Sequence, residues 1–197
     1  LKQMLSYEDS LKILKETNAL LEGHFILSSG LHSPKYVQCA QLLSKPKKAS
    51  EICNSLAQKI KKEFNEIDLI LSPAMGGIII GYEIGKILNI ETIFTERVNG
   101  KFELRRDFKI KKLSKVLIVE DVITTGKSGL ECSNLIDRYD AELLGYACII
   151  DRSNSKNFLK KKLVSQIEID IPTYNETNIP EELRLITAVK PGSRNLK

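Results

Sequence analysis

Short apolar runs separated by helix-period segments constrain this chain more than any other feature. Val116–Val119 and Leu143–Ile150 are continuous rather than alternating, and Ile67–Leu71 is a short apolar run broken only at Asp68, the pattern of strands covered on both faces. Gly77–Leu88 and Lys127–Tyr139 read as the intervening helices, and further strands are expected at Glu91–Thr95 and Val164–Ile169. Strands alternating with helices imply a parallel sheet with helices on both sides. Ahead of this pattern, helical spacing runs over Ser10–Leu21, with Asp9 or Ser10 as its cap. Gly23–Cys39 reads as two short strands around a Gly/Ser/Pro turn. Pro46 suits the first turn of a helix that carries Ile52, Leu56 and Ile60 and ends near Phe64. The expected fold class is α/β: a mainly parallel twisted sheet flanked by helices, with a small N-terminal cap, in a single domain over 1–197.

At 197 residues, 42% hydrophobic and 28% charged, the chain has the balance of a soluble globular domain. No apolar run approaches the roughly 20 residues of a bilayer span; the longest, around Gly77–Ile80, is broken by Gly81, Glu83, Gly85 and Lys86. No apolar leader with a small-residue cleavage site is visible, so the expectation is a cytoplasmic protein with no membrane partner. Cys39, Cys53, Cys132 and Cys148 form no C-x-x-C pair and sit among apolar neighbours, which predicts reduced core thiols. His24 and His32 have no cysteine at ligand spacing, so a metal site built on them is not expected. The net charge of +5 comes with lysine clusters at Lys45–Lys48, Lys59–Lys62, Lys109–Lys115 and Lys160–Lys162. Such a field attracts anionic small molecules, whereas nucleic acid is not expected, because no aromatic residues interleave with the basic runs.

The chemistry concentrates in Val116–Ser128, VLIVEDVITTGKS. In a parallel sheet, ligands bind beyond the carboxyl ends of the strands, where Glu120 and Asp121 fall. Val122 and Ile123 lead into Thr124, Thr125, Gly126, Lys127 and Ser128, where a helix begins. Its N-terminus offers unpaired N–H groups and a positive dipole end to a phosphate, and Gly126 permits a tight turn. Two adjacent carboxylates repel a phosphate, so their partners are the vicinal hydroxyls of a ribose or a Mg²⁺ carried by it. Gly126-Lys127-Ser128 imitates the end of a Walker A loop. That motif needs glycine where Asp121 stands, so a P-loop nucleotidase is excluded.

VLIVEDVITTGKS resembles the 5-phosphoribosyl 1-diphosphate (PRPP) signature of the type I phosphoribosyltransferases. GHFILSSGLHSPKYVQC, SPAMGGIIIGYEIG, TERVNGKFELRRDF, IIDRS and, more weakly, VKPGSR resemble the branch of that family that uses orotate in pyrimidine synthesis. The resemblance implies the type I phosphoribosyltransferase fold with an N-terminal hood, and transfer of phosphoribose from PRPP to orotate. It implies that Glu120 and Asp121 hold the ribose hydroxyls, that the loop through Val122 and Ile123 to Thr124–Ser128 binds the 5-phosphate, and that Thr124 also touches orotate. Arg152 would meet the orotate carboxylate, a pairing that guanidinium geometry favours independently. The backbone at Tyr36 and Val37 would contact the pyrimidine ring, and the turn at Ala74-Met75-Gly76 would approach the diphosphate.

Catalysis would involve Asp121 together with Arg97 and Lys101, on a loop that closes over the diphosphate and reaches the neighbouring subunit of a homodimer. Mg²⁺ would be bound through PRPP rather than by a protein site. The chemistry asks for such a loop in its own right. Positive charge develops on the sugar as the diphosphate leaves, so cations must stabilise the leaving group and water must be kept out. Arg97, Lys101, Arg105 and Arg106 around the Asn99-Gly100 turn suit that lid. The chain departs from many relatives in carrying Gly76 and Ser28 where they have lysine, and Glu103 where they have histidine. Two other readings share the loop: a phosphoribosyltransferase for a purine base, and a PRPP-sensing regulator that binds nucleic acid.

Overall fold

A computed structural model describes residues 4–154, 156 and 158–191. Its centre is a six-stranded sheet of β3 (Leu69–Pro73), β4 (Thr92–Val98), β5 (Lys101–Leu104), β6 (Lys115–Ile123), β7 (Glu142–Asp151) and β8 (Leu163–Glu168). The spatial order is β5-β4-β3-β6-β7-β8, parallel throughout except for β5, which pairs antiparallel with β4. From β3 the chain moves outward to β4 and β5, then returns across β3 to continue through β6 in the opposite direction. The order therefore reverses between β3 and β6, and a crevice opens at their carboxyl ends.

The expected α/β class is the observed one, and the pleat shows why the strands are apolar without interruption. Leu117 and Val119 face a core shared with α1 (Tyr7–Glu16), α3 (Pro46–Glu63) and α4 (Gly76–Leu88), through Leu14, Ile52, Leu56 and Ile80. Val116 and Ile118 face the opposite core, where Cys132 and Ile136 of α5 (Lys127–Arg138) pack with Tyr146 and Cys148. The four cysteines are buried and free, as expected. Along α4, glycines at every fourth position let the helix lie close on the sheet: a Cβ at Gly81 would stand 2.1 Å from Ser72 Oγ, and one at Gly85 2.0 Å from Thr92 Oγ1. This close seating brings the start of α4 to the mouth of the crevice.

Above the crevice sits a hood. β1 (Leu20–Ile26) and β2 (His32–Val37) form an antiparallel pair with a bulge between Glu22 and Phe25. The C-terminal segment closes it: Tyr174 pairs with His32 and Val189 with Phe25, and α6 (Glu181–Arg184) packs on β1. Inside the hood, the buried rings of His24 and His32 meet at 2.7 Å, while His24 Nδ1 lies 3.0 Å from the Ile186 carbonyl.

Several boundaries differ from expectation. α1 begins at Tyr7 and is capped by Ser6, whose hydroxyl accepts from the Asp9 N–H at 3.1 Å; Asp9 and Ser10 lie inside it. It stops at Glu16, because Asn18 turns through a left-handed conformation (φ 58°) into β1. Leu20 and Leu21, which continue the helical spacing, are strand residues. A short helix α2 (Cys39–Leu43) links hood to core and has no counterpart in the sequence reading. β6 continues to Ile123, since Val122 and Ile123 still pair with Ile150 and Asp151 of β7; the carboxylates therefore lie within the strand rather than beyond it.

Candidate active site

Three chain segments meet at the switch point. The first is the turn from β3 into α4, where the Ala74 N–H donates to the Thr95 carbonyl at 2.9 Å and Met75 stands 84% exposed ahead of Gly76. The second is the end of β6. The Glu120 carboxyl is buried among Gly129, Tyr146 and Cys132, and its Oε1 has no hydrogen-bond partner. Burial first, then the adjacent charge of Asp121, pushes its pKa up to about 8. Asp121 is half-buried; burial raises its pKa while the N–H of Val122, 2.9 Å from Oδ1, works against that shift.

The third segment is the loop into α5. Gly126 adopts the left-handed conformation (φ 78°) as the helix cap, and its carbonyl accepts from the Leu130 N–H at 2.9 Å. Thr124, Thr125 and Lys127 are exposed and Ser128 half-buried, so hydroxyls and first-turn N–H groups form an open cradle for an anion. The following segment braces it, with the Phe158 N–H donating to the Thr125 carbonyl at 2.9 Å. Arg152 enters beside the same loop. Its N–H donates to the Ile123 carbonyl at 2.8 Å, and its buried Nε has no hydrogen-bond partner. Burial lowers the guanidinium pKa, yet arginine stays charged, so a half-buried cation stands beside the loop.

The hood reaches this site at its lower end. Tyr36 and Val37 close β2; the Tyr36 ring lies 5.8 Å from Phe25, and Val37 packs on the main core. Cys39, just beyond them, sets its thiol 4.0 Å from the Asp121 carbonyl. Ser28 is exposed in the hood turn.

The β4–β5 hairpin carries the expected lid residues but disposes them unequally. Its turn is Asn99-Gly100, both at positive φ. Arg97 donates to the Gly100 carbonyl at 2.7 Å, lies 3.9 Å above the Phe102 ring and pairs with Glu131 of α5 at 2.8 Å. Lys101 is exposed across the turn. Arg105 and Arg106, expected as lid cations, instead turn back onto Glu96, at 3.8 and 2.9 Å. Arg106 and Asp107 both adopt left-handed backbone conformations, which folds the strand end over Glu96. Glu103 pairs with Arg138 at 3.5 Å, a second tie between hairpin and α5. The sequence reading missed Glu96 and Glu131 as partners; an acidic residue preceding a basic hairpin was the available signal for the first.

Among the described residues no group of three or more His, Cys, Asp or Glu side chains could hold a metal ion. Gly192-Ser193-Arg194, from the weak tail match, lie outside the described residues.

The chain matches the phosphoribosyl transferase domain family over residues 38–184. It is 45% identical to an orotate phosphoribosyltransferase of Parvibaculum lavamentivorans, across 95% of this chain and 99% of that one. It is 44% identical to that of Erythrobacter litoralis, across 95% and 97%. This chain belongs to the orotate phosphoribosyltransferase family. The fold agrees: an orotate phosphoribosyltransferase from Aeropyrum pernix superposes with a TM-score of 0.70 at 23% identity, covering 80% of this chain and 92% of that one. UMP synthase of Leishmania donovani gives 0.71 at 20% identity, over 84% of this chain and 37% of its own.

Proposed function

We propose that this chain, as one phosphoribosyltransferase domain, transfers phosphoribose from PRPP to orotate, forming orotidine 5′-monophosphate and diphosphate. The observation that carries the reading is the half-buried Arg152, whose buried Nε has no hydrogen-bond partner, beside the open anion cradle Thr124–Ser128. One site thus offers places for a carboxylate and a phosphate together. Thr124 to Ser128 take the 5-phosphate. Glu120 and Asp121 accept from the ribose hydroxyls and, as anions, stabilise positive charge developing on the sugar. Arg152 grips the orotate carboxylate, and the strand end at Tyr36 and Val37 holds the ring. The N–H groups at Met75 and Gly76 face the diphosphate, with Arg97 and Lys101 supplying cations from the hairpin. The bond from ribose C1 to diphosphate breaks as that to the orotate ring nitrogen forms.

Mg²⁺ would be carried by PRPP. The paired carboxylates fit it as extra oxygen donors, although they cannot by themselves complete its shell. It supplies neutralisation of the leaving diphosphate. A homodimer is supported by the stripe of Met75, Ile79 and Tyr82 at the start of α4, which expose 84%, 54% and 66% of their surface and which a second copy would cover. We place the reaction in the cytoplasm.

Loss of orotate absorbance on adding PRPP and Mg²⁺ tests the activity, and absence of turnover by the folded protein refutes it. R152A should weaken orotate by about 10- to 150-fold, the range for a lost hydrogen bond to a charged group, while leaving PRPP binding within about 3-fold; equal losses would remove Arg152 from its role. Sedimentation of Y82E as a monomer, against a dimeric parent, tests the interface.

A further inference from the structure

A Cβ built at Gly76 would lie 2.7 and 2.8 Å from the two carboxylate oxygens of Asp121 and 2.9 Å from its Cγ. The carboxylate thus rests on the Cα of the first residue of α4, across the crevice from its own strand. The backbone dihedrals do not call for glycine there. Gly76 is not among the residues of positive φ, and at a helical position alanine is ordinarily the better residue. The neighbouring α4 glycines make room for Pro73, Ser72 and Thr92, which belong to the packing of helix on sheet. Gly76 alone on that helix makes room for a carboxylate at the mouth of the crevice.

We infer that Gly76 is a positioning residue for Asp121: its bare Cα is the seat that fixes where the Asp121 carboxylate meets the ribose. On the other side the carboxylate is held by the Val122 N–H at 2.9 Å. Between these two limits little lateral freedom remains. A methyl group at position 76 removes the seat. Asp121 relieves the clash by rotating its short side chain, because a staggered alternative is available and nothing in the core has to move. The fold therefore survives while the carboxylate leaves its place. This inference rests on the proposed role of Asp121 towards ribose, and it predicts a loss on the PRPP side alone.

The test is a double-mutant cycle of G76A and D121A, with kinetics and thermal melting for each variant. G76A should lower kcat/KM for PRPP by about 10- to 100-fold, the scale of a hydrogen bond to a charged group. Its melting temperature should be unchanged or raised, and its affinity for orotate unchanged. G76A/D121A should be no worse than D121A, since the residue that Gly76 positions is already gone. Wild-type kinetics in G76A, or losses that multiply in the double variant, would overturn the inference. If D121A itself retains full PRPP affinity, the ribose role of Asp121 fails instead. A crystal structure of G76A then decides the seating separately: a displaced carboxylate supports it, and an unmoved one refutes it.

Discussion

Arg97 bridges the β4–β5 hairpin and α5, its guanidinium 2.8 Å from Glu131, one turn beyond the phosphate cradle. To serve a leaving diphosphate, Arg97 must exchange this carboxylate for phosphate oxygens. The side chains are 43% and 28% exposed, so after solvent screening the pair is worth about 0.2–1 kcal/mol. E131Q should therefore raise kcat/KM for PRPP by about 1.4- to 5-fold, the same range expressed as a ratio. The gain should shrink as salt is added, and R97A should abolish it. Steady-state kinetics at low and high ionic strength check this; a loss of activity in E131Q would show that the pair supports turnover rather than parking the arginine.

In its proposed role, Glu120 should link substrate binding to protons. Its carboxyl has an ordinary value of 4.5 and is raised to about 8 by burial, then by Asp121. Between those values the folded chain keeps a proton that the unfolded chain has lost. Stability of the free protein therefore falls as pH rises through this window, by at most about 1.4 kcal/mol per pH unit from this group. In the proposed role of Glu120, ribose hydroxyls donate to its ionised carboxylate, so PRPP should expel the proton. Calorimetry at pH 7 in buffers of different ionisation enthalpy should show release of about one proton per PRPP bound, with affinity rising towards about pH 8 and level above it. E120Q should release none; unchanged release in E120Q would assign the proton to another group.

What was legible in the sequence was what local chemistry determines. The continuous apolar runs gave the parallel strands, because both faces of each are buried, and the string from Glu120 to Ser128 gave the crevice loop, because its parts are neighbours in the chain. The failures come from tertiary contacts that leave no local mark. Val122 and Ile123 extend β6 only because β7 runs alongside them. Ser6 caps α1 ahead of an apolar spacing that overruns into β1. Arg105 and Arg106 looked like free lid cations until Glu96 was found beneath them. The seat of Asp121 on Gly76 joins two strands' ends and could not be read from either segment.

The histidine pair should matter for stability rather than for chemistry. A carbonyl only accepts, so His24 Nδ1 carries the proton towards Ile186; in the neutral ring Nε2 then accepts from His32 Nδ1. This bonding assigns both tautomers. H32A leaves a buried imidazole nitrogen without its donor, at a cost of about 1–3 kcal/mol. For a chain of this size the melting temperature should fall by about 2–12 °C. H32N, whose amide can donate from nearly the same place, should recover most of it. Calorimetric melts of the two variants check the assignment, and equal losses would disprove it.

Gly145 should behave in the opposite way to Gly76, although both are crowded. A Cβ there would stand 2.6 Å from the Lys162 carbonyl oxygen and 2.6 Å from the Phe64 ring. Neither neighbour is the free end of a flexible side chain. The carbonyl accepts from the Tyr146 N–H at 2.9 Å and so belongs to the β7–β8 ladder, and Phe64 packs on the main core at the end of α3. The strain of overpacking, about 1–3 kcal/mol, must then be borne by the backbone between β7 and β8. G145A should melt about 2–12 °C lower. Its KM for PRPP and for orotate should stay at wild-type values below the transition, since the crevice lies at the other end of β7. Paired measurement of melting temperature and KM separates the two glycines: a raised KM for orotate in G145A would mean that the strain travels along the strand to Arg152.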